Sequence, residues 1–329
     1  MAAAGDILIV SPAEKRENNG NWQTASRWAQ FLRPGYRVRI VRGWEPGDPV
    51  PDLMIGLHAL RSAPSLAAFA ATGRPSVLVM TGTDLYRDLP GSGPAGASGR
   101  LDALAALEQA TRIVVLQPKA LEVLPVPAQA KAQVIYQSAP PLAAYSHPLA
   151  RRHIDFVMAG HLRREKDPLT FIRASQLIED RRIRFTLIGN ALEPQLGEAA
   201  QAAHSRNFQW LGSLPHGDTR QRLKRSHAMV ITSLMEAGAN VIIEAVTAGT
   251  PVLASDIPGN RGMLGDDYAG FFPAGDAAAL AALATRSVTD PAYYALLRTQ
   301  SAARAPLFAP EREAAAVRAL AAALLSPVR

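Results

Sequence analysis

A single rhythm runs the length of this chain: short, nearly continuous runs of β-branched and other apolar residues, each followed by a stretch of helical periodicity. In the first half the runs at 6–11, 36–41, 53–59, 76–82, 112–117 and 133–138 read as strands, with helices between them, among them 22–32 and 101–110. The second half restarts the pattern with runs at 155–160, 185–189, 208–212, 228–233 and 251–256. A strand with one wet face alternates polar and apolar side chains, whereas continuous apolar runs suit a parallel sheet covered by helices on both faces. The repetition therefore predicts an α/β fold of doubly wound domains.

The chain has 329 residues, long for one hydrophobic core. A proline-rich stretch of weak periodicity, from Ala139-Pro140-Pro141 to Arg151-Arg152-His153, marks a seam. The expected organisation is one domain over 1–145 and a second over 150–310. An Ala-rich helix with an apolar stripe, within 310–329, would pack back on the domains.

Composition narrows the chemistry. With no cysteine, disulfides, thiol catalysis and cysteine metal sites are excluded. No apolar run approaches the roughly 20 residues of a membrane helix. The opening Met1 to Asp6 leads into a strand without the basic and apolar regions of a signal peptide, so a cytoplasmic protein with no membrane partner is expected. The formal charge of +7 fits either an anionic partner or an Arg-, Ala- and Pro-rich composition. The cations are scattered and no aromatic-studded basic patch stands out, so nucleic acid is not expected as a partner.

The strongest local signal runs from Glu236 to Glu244, between the strand that ends at Ser233 and the Gly249-Thr250-Pro251-Val252 segment. Gly238 lets backbone approach a ligand, and a helix start offers free N–H groups to a phosphate. The two carboxylates can accept hydroxyl donors from different parts of one ligand. A second signal is Gly160-His161-Leu162-Arg163-Arg164-Glu165-Lys166-Asp167, a strand-to-helix loop whose cations suit a diphosphate leaving group. There is no Asp-x-Asp pair and no His/Asp cluster of metal-ligand spacing, so neither a metal nor another cofactor is expected. Gly91-Ser92-Gly93-Pro94-Ala95-Gly96 spells G-x-G-x-x-G, but it follows Leu89-Pro90 rather than a strand and reads as a loop.

Glu236 to Glu244 resembles the E-x7-E signature of family 4 glycosyltransferases, whose GT-B fold has two Rossmann-like domains facing a central cleft. The resemblance implies that Glu236, Gly238, Ala239, Asn240 and Val241 read the donor sugar and that Glu244 holds the nucleotide ribose. The 160–167 loop is similar to the family's Gly-Arg-x-x-x-Glu-Lys-Gly loop. Gly160 and His161 would then touch the donor, and Lys166 matches the phosphate-binding lysine. His161 stands where the family has Arg, leaving Arg163 or Arg164 to supply a guanidinium, and Asp167 stands where it has Gly.

In the first half, polar residues cluster at successive strand ends. Lys15, Arg16, Asn18, Asn19, Gly20 and Asn21 follow the first strand, His58 and Arg61 the third, and Thr83 and Asp84 the fourth. Such a set of amides, backbone donors and cations can hold a small anion. The segments 18–25, 57–63 and 81–89 are similar to bacterial selenosugar synthases of the selenoneine pathway. That resemblance implies transfer of a sugar, typically N-acetylglucosamine, from a UDP-sugar to selenophosphate. Lys15, Arg16 and Arg61 would hold the acceptor phosphate, assisted by 18–21, Thr83 and Asp84, while His58 would orient the donor sugar or shuttle a proton. No acid–base dyad stands out in this half. The alternatives are a transferase acting on a small hydroxyl or thiol acceptor, a nucleotide-sugar epimerase, and a donor-binding sensor without catalysis.

Overall fold

A computed structural model describes residues 5–14, 20–143, 145 and 153–326. The chain divides into two compact units, one of Met1–Gln137 with Pro310–Arg329 and one of Ser138–Ala309.

The first unit is a six-stranded sheet in the order β2-β1-β3-β4-β5-β6, every pair parallel. Its strands are β1 (Asp6–Val10), β2 (Arg37–Val41), β3 (Leu53–Leu57), β4 (Ser76–Val79), β5 (Arg112–Val115) and β6 (Ala132–Val134). The helices α1 (Gly20–Leu32), α2 (Ala59–Ala70), α3 (Gly96–Gln109) and the short α4 (Val126–Gln129) run between them. Every residue of β3 and β4 is buried, as central strands covered on both faces must be, while the edge strand β2 shows Arg37 and Arg39 to solvent. The G-x-G-x-x-G stretch follows a single π-helical turn at Asp84–Asp88 and runs as turns and a bend up to Gly96, the first residue of α3.

The second unit repeats the plan, in the order β12-β11-β10-β7-β8-β9. Its strands are β7 (Ile154–Ala159), β8 (Ile183–Ile188), β9 (Phe208–Trp210), β10 (Ala228–Ile231), β11 (Val252–Ser255) and β12 (Phe271–Phe272). Phe156, Phe171, Phe185 and Phe208 form a chain of ring contacts in its core. Helices α5 (Pro168–Gln176), α6 (Pro194–Ala202), α7 (His216–Arg225), α8 (Asn240–Thr247) and α9 (Pro258–Leu264) connect the strands, and α10 (Ala277–Thr289) and α11 (Pro291–Arg304) follow β12. Asp-Pro starts two of them: Asp167 caps α5 through Thr170 and Asp290 caps α11 through Tyr293, each with proline at a first-turn position that needs no N–H. The strand β12 has no counterpart among the sequence expectations, because two residues are too few to show a period. It exists through its parallel pairing with β11.

The last helix, α12 (Pro310–Leu325), belongs to the first unit. Glu313 on it is fully buried and accepts from Trp28 Nε1 at 2.8 Å and Arg27 Nε at 2.7 Å, both on α1. Arg318 adds a bond to the Phe31 carbonyl at 2.8 Å.

Candidate active site

Strand order decides which loops meet. In the second unit the chain builds β7, β8 and β9 outward in one direction and then returns to lay β10 on the other side of β7. The loops after β7 and β10 therefore diverge from adjacent strand ends, the place where doubly wound sheets open a crevice. Those are the 160–167 and 233–239 loops.

Their side chains interlock. Lys166 Nζ donates to Glu236 Oε1, and Ser233 Oγ donates to the same oxygen at 2.6 Å. Glu236 Oε2 is unengaged among the described residues. The backbones are tied as well: Leu234 N–H donates to the Glu165 carbonyl at 2.9 Å, and the Thr232 hydroxyl bridges the carbonyls of Lys166 and Asp167 at 2.8 Å each. Gly259, at the start of α9, lies so close under this loop that a Cβ there would sit 1.9 Å from the Glu236 carbonyl oxygen. Ser233 was not singled out in the sequence, although it closes the strand three residues before Glu236.

The 160–167 loop is pinned on its other side by the loop after β8. Leu162 N–H donates to the Asn190 carbonyl at 2.8 Å, and Asn190 N–H donates to His161 Nδ1 at 3.3 Å. That bond leaves the His161 proton on Nε2. Burial first, then Arg163 and Lys166, lower its pKa, so His161 adds a neutral donor here rather than a charge. Arg163 is half-buried and Arg164 exposed, and neither guanidinium is ion-paired among the described residues. Asp167 adopts the left-handed conformation, φ 44° and ψ 59°, which accounts for an Asp where the similar loops have Gly.

Gly238 and Ala239 lead into α8, which no side chain caps, with Asn240 and Val241 in its first turn. Glu244 sits one turn later, and its Oε1 is 2.7 Å from Nε2 of His216, the first residue of α7. Nothing in the sequence links position 216 to 244. Only the packing of α7 on α8 does.

In the first unit the structure brings His58, Thr83 and Asp84 together. His58 follows β3 with φ 75°, unusual for a residue with a Cβ, and caps α2 by accepting the Arg61 N–H on Nδ1 at 3.4 Å. The proton is thus on Nε2, 2.9 Å from Thr83 Oγ1. Burial, the largest effect, lowers the pKa against the pull of Asp84 and Asp88, so the ring is neutral at neutral pH. Asp88, buried and missed in the sequence, has its Oδ2 3.7 Å from His58 Nε2, and that oxygen accepts no hydrogen bond among the described residues.

Asp84 departs from its expected role as an acceptor contact. It is fully buried: Oδ1 accepts from Gly82 N at 2.7 Å and Leu85 N at 3.0 Å, Oδ2 from Ala59 N at 2.9 Å, and Thr81 N is shared between them. It braces the strand ends from beneath. Arg61 is exposed in the first turn of α2, and Gly20 and Asn21 open α1. Lys15, Arg16, Asn18 and Asn19 lie outside the described residues. Among the described residues no group of three or more His, Asp or Glu side chains is placed to hold a metal ion, and no helix is long and apolar enough to cross a membrane.

Comparison with known proteins adds the family context. Residues 146–304 match the family Glycosyl transferases group 1. Over 126 residues the chain is 29% identical to Glycosyltransferase 1 domain-containing protein 1 of Xenopus tropicalis, covering 37% of this chain and 36% of that protein. The chain thus spans about a third of the length of the curated relative it matches. Anabaena HepE in complex with UDP-glucose has a similar fold, with a TM-score of 0.77 over 97% of this chain and all of its own at 16% identity. Sucrose-phosphate synthase from Thermosynechococcus elongatus reaches 0.79 over 98% of this chain and all of its own at 17% identity. The family match falls on the second unit, and the chain as a whole has the GT-B fold.

Proposed function

We propose that this protein transfers a sugar, with N-acetylglucosamine as the expected group, from a UDP-sugar to selenophosphate. The selenium would attack the anomeric carbon as the bond from that carbon to the diphosphate oxygen breaks, and UDP leaves with the electron pair. Selenophosphate is already anionic, so the step needs no base.

The observation that carries the donor half of this reading is the Lys166–Glu236 contact. The diphosphate and the sugar of a nucleotide-sugar are bonded to each other, so a cation for one and a carboxylate for the other must be neighbours. Lys166 keeps two further N–H donors for the departing phosphate, with Arg163 or Arg164 beside it. The free Oε2 of Glu236 suits a sugar hydroxyl, and Glu244 suits the ribose. The UDP-glucose complex of the similarly folded Anabaena protein supports a UDP-linked donor. The acceptor half rests on the resemblance of 18–25, 57–63 and 81–89 to selenosugar synthases, and on the exposed Arg61. Neutralisation is assigned to Lys166 and the arginines, so turnover is expected to survive chelation of divalent cations.

The test is mass spectrometry of products from UDP-N-acetylglucosamine with and without selenophosphate. A selenium-containing sugar and UDP appearing only with both substrates supports the reading, and UDP release without selenium incorporation refutes the acceptor.

One observation favours a second reading, a hydroxyl or thiol acceptor. Such a nucleophile has a proton to lose, and Asp88 Oδ2, 3.7 Å from His58 Nε2 and without a hydrogen bond among the described residues, is a carboxylate oxygen able to receive it. Direct competition between selenophosphate and simple hydroxyl and thiol compounds separates the two readings.

A further inference from the structure

Glu244 is not a solitary carboxylate. Its side chain is 16% exposed and His216, 51% exposed, holds one of its two oxygens at 2.7 Å. The hydrogen bond to Glu244 is the main cause raising the His216 pKa, against burial and the charge of Arg220 one turn along the same helix. The Arg220 guanidinium itself is bonded to the Pro140 carbonyl. From β7, also packed on α7, the charged group is Asp155, which Arg184 Nε engages at 2.6 Å. Glu244 is therefore the carboxylate that acts on His216.

We propose that His216 is a positioning residue for nucleotide recognition, clamping Glu244 Oε1 so that Oε2 is presented to a ribose hydroxyl, and adding positive charge near an anionic ligand. This rests on the reading that Glu244 holds the ribose. A carboxylate on a helix rotates freely about its last torsion, and a fixed donor on one oxygen removes that freedom before the ligand arrives. The clamp has a pH dependence. His216 is protonated below its raised pKa and loses its charge as pH rises through it, keeping the hydrogen bond to the carboxylate but not the ion pair. Affinity for UDP is then higher on the acid side.

The experiment is calorimetric titration of UDP into the full chain at about pH 6 and about pH 8.5, with H216A, H216Q and E244A alongside. UDP's own phosphate titrates identically in every sample, so only differences from the unsubstituted protein are read. H216A is expected to weaken UDP binding about fivefold at the lower pH and less at the higher. It should also raise KM for the donor with little change in kcat. H216Q keeps an N–H donor but cannot charge, so it should recover part of the affinity and show a flat difference with pH. E244A should lose about tenfold at both. Unchanged UDP affinity in H216A with E244A impaired overturns the role of His216 alone. Unchanged affinity in E244A overturns the ribose reading and this inference with it.

Discussion

Lys166 donates to the Glu236 carboxylate across seventy residues of chain. The contact follows from sheet order: β7 and β10 are hydrogen-bonded neighbours although β8 and β9 come between them in sequence. The turn of direction at β7 sends two loops out of adjacent strand ends and leaves their tips facing each other. Each loop is then locked by its own backbone ties, so the cation and the carboxylate are held before any ligand arrives.

If Lys166 meets charge developing on a departing diphosphate, its loss falls on the chemical step. Lys166→Ala is expected to lower kcat about a hundredfold while the donor KM changes less than about fivefold. Steady-state kinetics with a UDP-sugar measures both. A raised KM with kcat intact would remove the leaving-group role.

Gly189 holds the 160–167 loop from the opposite side. Its φ is +147°, and a Cβ there would fall 2.0 Å from the Gly160 carbonyl oxygen, a backbone atom that cannot yield alone. Gly189→Ala is expected to cost about 2 kcal/mol in urea unfolding and to raise the donor KM, because the displaced loop is the one bearing Lys166. Unaltered stability and KM would show that the loop relaxes freely.

The burial of His58 sets the sign of a pH effect. Its folded-state pKa lies below the unfolded value of about 6.5. Between the two values the unfolded chain binds the extra proton, so stability falls as pH drops through that window. The urea midpoint should decrease from about pH 7.5 to about pH 5.5, and His58→Asn should reduce the slope. His161 is shifted the same way and will keep part of it. A slope identical in His58→Asn would show that the ring titrates normally in the fold.

Glu313 anchors α12. Glu313→Ala leaves Arg27 and Trp28 without their buried acceptor and is expected to destabilise the chain by about 3 kcal/mol. Glu313→Gln, which keeps an acceptor oxygen, should cost less. Equal midpoints for all three proteins in urea would mean that the helix is held by its apolar face alone.

Much of the fold was open to reading from local pattern, and the exceptions have a common cause. Mostly apolar runs marked β1 to β11 within a few residues of their ends: central strands such as β3 and β4 are buried on both faces and apolar nearly throughout, while the edge strands β2 and β6 carry Arg37, Arg39 and Gln133. The two-residue β12 left no such trace. Asp84 and Asp88 look alike in sequence, four residues apart in a polar stretch. One is bonded on both oxygens by backbone N–H groups and the other is left with an oxygen beside His58, a distinction made by the π-helical turn between them.

Residue types and their spacing decided the α/β class, the positions of the two polar loops, and the presence of a lysine and two glutamates suited to a nucleotide-sugar. These follow from steric and solvation rules that act over a few residues. Packing decided the rest. The order of strands in the sheet put Lys166 against Glu236, the seating of α7 on α8 put His216 on Glu244, and the return of α12 buried Glu313 against α1. Each pairing joins residues at least 28 positions apart, and no periodicity or motif spacing spans such a gap. Only the path of the whole chain, set by which apolar faces are buried together, brings those side chains within reach.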